Sequence, residues 1–311
     1  MASIIKTIVS IQPRKVISNL LLRAYSSNTD VPPFETLAVS VPKKHVYHVE
    51  LARPKKANSF SKAMWSELKE CFASLSNNSE CRVIVLSGQG KNFTGGIELN
   101  SLVELGAAAD DLEDAARKAR FHYGFIKYAQ DGISALEDCY KPVLAVVHNA
   151  CVGAGVDLIT AADIRYCTQD TWFQVKEVDV GLAADVGTLQ RFPKVIGNAS
   201  IARELCLTGR KFDAKEAKEI GLVSNVFPDK ESALNHVLSI AVDIAAKSPV
   251  AVQTTKINMV YSQSRPTAEG LEHIATVTAY HQADRATRKK KLSTSATHLC
   301  PLLGSGLLPS I

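Results

Sequence analysis

Residues 142–192 limit what this chain can fold into more than any other stretch. PVLAVVH (142–148) is an unbroken apolar run of strand length, so it reads as a buried strand. It leads into the small-residue turn Gly153-Ala154-Gly155 and a helix over roughly 155–162. IRYCTQ and WFQVKE supply two more strands, and Asp185 is expected to open the next helix. Three of the acids in this stretch draw attention by their spacing from the turn. Asp157 follows the turn, Glu177 comes twenty residues later, and Asp185 eight after that. Apolar surroundings disfavour the charged carboxylate and raise its pKa. An acid lifted toward neutrality is what proton transfer requires. Three of them near a turn rich in backbone N–H donors predict an acid/base enzyme acting on a carbonyl compound.

The flanking sequence extends the same alternation. VYHVEL (46–51) and RVIVLSG (82–88) are β-branched strands bounded by Pro or Gly. Between them Ser59-Phe60-Ser61 opens an amphipathic helix with Met64, Trp65, Leu68, Cys71, Phe72 and Leu75 on one stripe. Residues 107–138 read as a long helical region, acidic at its start, with Gly124 and Gly132 as candidate division points. LTGRKFDAKEAKEIGLVSNVF adds a capped helix and a strand, and helices at 231–247 and 266–281 follow. Repeated β-β-α units with a helical C-terminal region predict one α/β domain over 35–282.

The segments KNFTGGIEL (91–99), KPVLAVVHNACVGAGVDLITAADIRYCTQD (141–170) and FQVKEVDVGLAADVGTLQRFPKVIGN (173–198) resemble the crotonase (enoyl-CoA hydratase/isomerase) superfamily. The motif order and the third acid are most similar to its dienoyl-CoA isomerase branch. That resemblance implies a crotonase-like spiral, an acyl-CoA thioester as substrate and a β-oxidation role in unsaturated fatty-acid metabolism. It implies isomerisation of 3,5-dienoyl-CoA to 2,4-dienoyl-CoA, with Asp157, Glu177 and Asp185 catalytic. Asp185 is then the base at C2, Glu177 the donor at C6, and Asp157 the group that tunes them. The backbone N–H groups of Ile97 and Ala154 become the oxyanion hole. Arg53, Lys56, Ala57, Gly95, Gly96 and Gly153 become contacts to the substrate and its coenzyme A. No cofactor beyond the substrate's own coenzyme A and no metal is implied, and C-terminal helices usually build a trimer or a dimer of trimers. The chain departs from the branch at Glu98, where Asp is commoner, and at Ala154, where Gly is commoner.

Each of these residues also has an ordinary reading. Asp157 suits the first turn of a helix, Asp185 before Val-Gly-Thr-Leu is a good N-cap, and Glu177 could pair with Lys176 on the surface. Gly153-Ala154-Gly155 could serve only tight strand-to-helix packing. It is not a dinucleotide fingerprint, because position 158 is Leu158. Arg53 and Lys56 could be a solvated basic face. SxxK at Ser59–Lys62 lacks the partner motifs of a serine hydrolase. Two alternative functions stand beside the isomerase. A 2-enoyl-CoA hydratase would use Asp157 and Glu177 on a water, although such hydratases usually carry Glu at the first position and no acid at the third. A crotonase-fold RNA-binding protein would need a basic surface, which only 285–291 offers.

Composition bounds the rest. With 46% hydrophobic and 22% charged residues the 311-residue chain reads as globular, and no apolar run is long enough to span a membrane. The net charge of +5 owes much to residues 1–25, whose Lys6, Arg14, Lys15 and Arg23 face no acid. Without them 32 basic residues meet 31 acidic ones, so a nucleic-acid partner is not expected. That N-terminal segment reads as a mitochondrial transit peptide cut after Tyr25, directing the protein to the matrix. Residues 283–311 lose the family pattern and are expected to be a poorly ordered tail. They end in Pro-Ser-Ile, not the peroxisomal Ser-Lys-Leu. Seven cysteines without CxxC spacing read as reduced core thiols. His45 and His48 are expected on opposite faces of one strand.

Overall fold

The structure, a computed structural model, describes residues 31–283, so the transit-peptide and tail readings lie outside the described residues. Two compact units are found, one ending at Gln253 and the other beginning at Thr254.

The first unit is built on a six-stranded sheet. Its strands are β1 (Leu37–Lys43), β2 (Val46–Leu51), β3 (Val83–Gly88), β4 (Val143–Val147), β6 (Ile164–Thr168) and β9 (Asn225–Phe227), in that order across the sheet. Only β1 is antiparallel. A smaller sheet holds β5 (Ala150–Val152), β7 (Trp172–Gln174) and β8 (Phe212–Asp213). The parallel strands are apolar on both faces, as burial on both sides demands. Ile84, Leu86, Val143, Ala145 and Val147 enter the main core, while Val83, Val85, Leu144 and Val146 enter a second. Ala233, Val237, Ala241 and Ala245, which recur every four residues on one helix face, close that second core.

Helix α1 (Lys62–Asn77) starts where Ser61 accepts the Met64 N–H, and it buries the six residues its stripe predicts. The helical region expected over 107–138 falls in two helices, α2 (Leu99–Asp110) and α3 (Ala115–Asp138). The glycines do not divide it. The break falls at residues 111–114, because Asp114 takes extended backbone and caps α3 by accepting the Arg117 N–H. Gly132 serves packing instead. A Cβ there would stand 2.6 Å from the Trp65 carbonyl oxygen, so α1 and α3 could not approach as they do.

Helix α4 (Ala154–Thr160) follows β5 directly, and α5 (Thr188–Ile196) and α6 (Ala199–Thr208) follow β7. Two expectations need correction here. WFQVKE is not strand throughout: β7 stops at Gln174 and Glu177 begins a short 3-10 turn, Glu177–Val180. Asp185 does not open a helix; α5 begins at Thr188 after Gly187, which sits at φ +143°. Helices α7 (Ala214–Glu219, capped by Asp213) and α8 (Lys230–Ala245) complete this unit before α9 (Pro249–Ser262) begins. His45 is not in a strand but in the β1–β2 turn at φ +64°, while His48 bonds Ser87 Oγ across β2 and β3 at 2.9 Å. Six of the cysteines are buried thiols outside any disulfide, and Cys300 lies outside the described residues. In the second unit, Asn258 on α9 reaches the Gly270 carbonyl at 3.0 Å on α10 (Thr267–Ala283), and Tyr261 stacks on His273. Among the described residues no single helix is long and apolar enough to cross a membrane.

Candidate active site

Two backbone segments form one side of the site. Phe60 donates its N–H to the Gly96 carbonyl (2.8 Å) and accepts the Glu98 N–H (3.0 Å). In a strand-like segment, groups flanking a residue that face one partner leave that residue's own N–H facing the other way. The Ile97 amide is therefore turned from Phe60. Gly96 is held at φ +90°, and a Cβ there would meet the Val152 carbonyl oxygen at 2.9 Å, so only glycine lets residues 95–97 lie this close to β5. On the β5 side Gly153, at φ +52°, ties its N–H to the Gln174 carbonyl at 2.9 Å. Ala154 is the first residue of α4, where an N–H has no intrahelical acceptor.

The acids lie beside this segment. Asp157, fully buried in the first turn of α4, points one carboxylate oxygen at the start of α5, where Oδ1 accepts the Thr188 N–H at 2.5 Å. Its other oxygen has no hydrogen-bond partner among the described residues, and neither has Glu177 Oε2. Glu177 Oε1 lies 3.1 Å from where a Gly153 Cβ would be, so its carboxyl packs on the residue before Ala154. Burial raises the Asp157 pKa to about 6, against the pull of hydrogen bonding from Thr188. Burial and the nearby Asp157 charge together raise Glu177 to about 7. Asp185, more exposed, is raised too, chiefly by desolvation. Neither ordinary reading of the later two acids holds. Lys176 pairs with Asp179 at 3.4 Å, and Asp185 caps nothing because Asp157 supplies the α5 cap.

A cavity of about 720 Å³ brings these groups together. Gly95, Gly96, Ile97, Gly153 and Ala154 line one side, with Glu177 and Asp185 among the walls. Apolar residues of α2 and α3, such as Leu102, Phe125 and Ile126, line it as well. Asp157 is not among the residues that line the cavity. Of the expected substrate and coenzyme A contacts, Gly95, Gly96 and Gly153 line the cavity, whereas Arg53, Lys56 and Ala57 do not. Arg53 binds Glu98 at 2.9 Å, Lys56 reaches Glu98 at 3.6 Å, and the Ala57 carbonyl accepts the Gly95 N–H at 2.8 Å. They brace the segment that carries Ile97. Sequence reasoning missed Thr188 and Gln130, whose Nε2 donates to the Asp185 carbonyl at 2.7 Å. Their partners are 31 and 55 residues away, and no local pattern marks such pairs.

A cavity that sets two glycine-bearing backbone segments beside carboxyls raised to about 6 and about 7 is suited to moving protons. The enoyl-CoA hydratase/isomerase family model matches residues 42–294, and the chain belongs to this family. It is 49% identical over 278 residues to the mitochondrial Delta(3,5)-Delta(2,4)-dienoyl-CoA isomerase of Rattus norvegicus, covering 85% of this chain and 84% of the relative. Against the peroxisomal enzyme of that name from Arabidopsis thaliana it is 45% identical over 231 residues, covering 74% and 83%. Among solved structures, a putative enoyl-CoA hydratase from Streptomyces coelicolor A3(2) superposes with a TM-score of 0.76 at 26% identity, covering 88% of this chain and 96% of that one. The fold is the one that family shares.

Proposed function

We propose that this chain isomerises 3,5-dienoyl-CoA to 2,4-dienoyl-CoA in the β-oxidation of unsaturated fatty acids. One observation carries the reading: Glu177 and Asp185 line the same cavity as Ile97 and Ala154, whose backbone amides are the candidate oxyanion donors. Shifting a 3,5-diene to a 2,4-diene takes a proton from C2 and delivers one to C6. These carbons stand at opposite ends of the conjugated system, so acid and base must be separate groups.

Asp185, whose pKa is raised mainly by burial, takes the C2 proton as a carboxylate. The negative charge moves to the thioester oxygen, where the two amides hold the dienolate. Glu177, near pKa 7, keeps a proton to give to C6. The cycle leaves Asp185 protonated and Glu177 ionised, and exchange with water restores both. Asp157 raises the Glu177 pKa by its charge and stays out of contact with substrate. The α2–α3 side receives the acyl chain.

Several relatives are named as mitochondrial and one plant relative as peroxisomal. With the acid-free basic segment before Tyr25, the reading places this protein in the mitochondrion, specifically the matrix. A homo-oligomer, trimeric or a dimer of trimers, belongs to the same proposal. The deciding experiment assays the purified chain on 3,5-dienoyl-CoA and 2-enoyl-CoA side by side, with Asp185→Asn in parallel. Loss of isomerisation in the variant supports the reading. Full activity in it, or a preference for hydrating 2-enoyl-CoA, defeats it.

A further inference from the structure

Asp185 stands in a segment without regular structure, so something outside that segment must fix its place. The contact is on α3. Gln130 Nε2 donates to the Asp185 backbone carbonyl at 2.7 Å, and its Oε1 accepts from Lys127 Nζ at 2.9 Å, which sets the amide's orientation. Four and seven residues further along the same helix face, Ser134 and Glu137 take the Arg191 guanidinium at 3.0 and 2.7 Å. Residues 185–191 are thus tied to α3 at both ends, by a polar stripe of Gln130, Ser134 and Glu137 beside the buried Ala129, Ile133 and Leu136. The opposite side of the Asp185 segment offers no matching tie to its carbonyl among the hydrogen bonds described. Phe125, Ile126 and Ala129, on the same helix, line the cavity.

We infer that Gln130 is a positioning residue for isomerisation: it fixes Asp185 at C2 by holding its main-chain carbonyl from the helix that also walls the acyl chamber. The inference rests on the reading of Asp185 as the base. Gln130 touches neither substrate nor the Asp185 carboxylate, so its loss changes where the base sits and leaves its basicity alone. Misplacing a reacting group by about 1 Å costs up to about a hundredfold in rate.

The test uses the full chain with Gln130→Met, which keeps length and loses the donor, and Gln130→Glu, which sets an acceptor against the Asp185 carbonyl. The expected result is a fall in kcat of about tenfold for Met and more for Glu. KM should stay within twofold, and the C2-deuterium isotope effect on kcat should rise as proton removal becomes limiting. A purely structural role would lower the melting temperature and leave kcat per folded site and the isotope effect alone. If Glu does not fold, Met carries the test by itself. Asp185→Asn separates the two failures. If it is inactive while both Gln130 variants turn over at the parent rate, the positioning role is overturned and the base reading stands. If Asp185→Asn is itself active, the base reading falls and takes this inference with it.

Discussion

The two sides of the cavity are made in different ways. The amide side consists of backbone: residues 95–97 and 153–154 are pinned by hydrogen bonds to Phe60, Ala57 and Gln174, and glycines at φ +90° and +52° permit the close approach. The helical side consists of side chains on α2 and α3, where the lining residue Leu99 is 67% exposed. The first side tolerates almost no change of shape, since its geometry is that of the chain itself. The second can exchange one apolar residue for another at little cost in fold. On the proposed mechanism, the chemistry belongs to the backbone and carboxyl side and chain preference to the helical side.

The largest expected effect breaks the chemistry alone. Glu177→Gln keeps shape and hydrogen bonding but removes the transferable proton, so kcat should fall by about 10²–10⁴ while thioester binding barely changes. Steady-state kinetics and a binding titration on the same preparation check this. A variant within threefold of the parent would return Glu177 to a structural role.

Next comes the amide side. Gly96→Ala forces a side chain onto a φ of +90° and against the Val152 carbonyl. The strain is of the order of 1–3 kcal/mol. The variant should melt lower and also lose kcat, because the Ile97 amide moves with the strain. An unchanged kcat with a lowered melting point would mean the Ile97 amide plays no part in turnover.

The third prediction concerns pH. Folded-state pKa values of about 6 for Asp157 and about 7 for Glu177 lie above those of unfolded carboxyls. A raised pKa means the folded chain holds these protons more tightly, so their stabilising effect is full at low pH and is lost as pH climbs from about 4 to 7. Glu177→Gln should accordingly gain melting temperature over the parent at pH 8 and little at pH 5. In the parent, kcat should decline above about pH 7 as Glu177 loses its proton. Parallel melting and rate profiles across pH 5–9 read both limbs.

The smallest effect belongs to the helical side. Leu99→Asn replaces an exposed lining residue, so stability should stay within about 0.5 kcal/mol. KM should rise severalfold for a long acyl chain and remain unchanged for a short one. Equal effects on both chains would erase the division of labour between the two sides.

Much of this architecture was readable from the sequence. The six buried residues of α1 follow from its helical stripe, and β2, β3 and β4 follow from apolar runs with turn residues at their ends. These features depend on neighbours in sequence. What escaped depends on partners far away. Asp185 reads as a helix cap from its local string, yet Asp157, 31 residues before Thr188, takes that N–H. Glu177 reads as strand because Trp172–Gln174 is strand, but β7 has its β5 partner only through Gln174. Gly132 reads as a break in α3, and its reason lies on another helix, at Trp65. The three acids drew attention by their chemistry. Gln130 could not, because a polar residue on a long helix is ordinary until its partner is known.

The Asp157 carboxylate serves two neighbours at once. One oxygen closes the start of α5, and the other has no hydrogen-bond partner among the described residues and stands within electrostatic reach of Glu177. On the proposed mechanism a substitution here is therefore felt twice, in how much folded protein a cell accumulates and in how fast each molecule works. Asn can keep the cap but not the charge, and Glu can keep the charge only by pushing an extra methylene into a fully buried space.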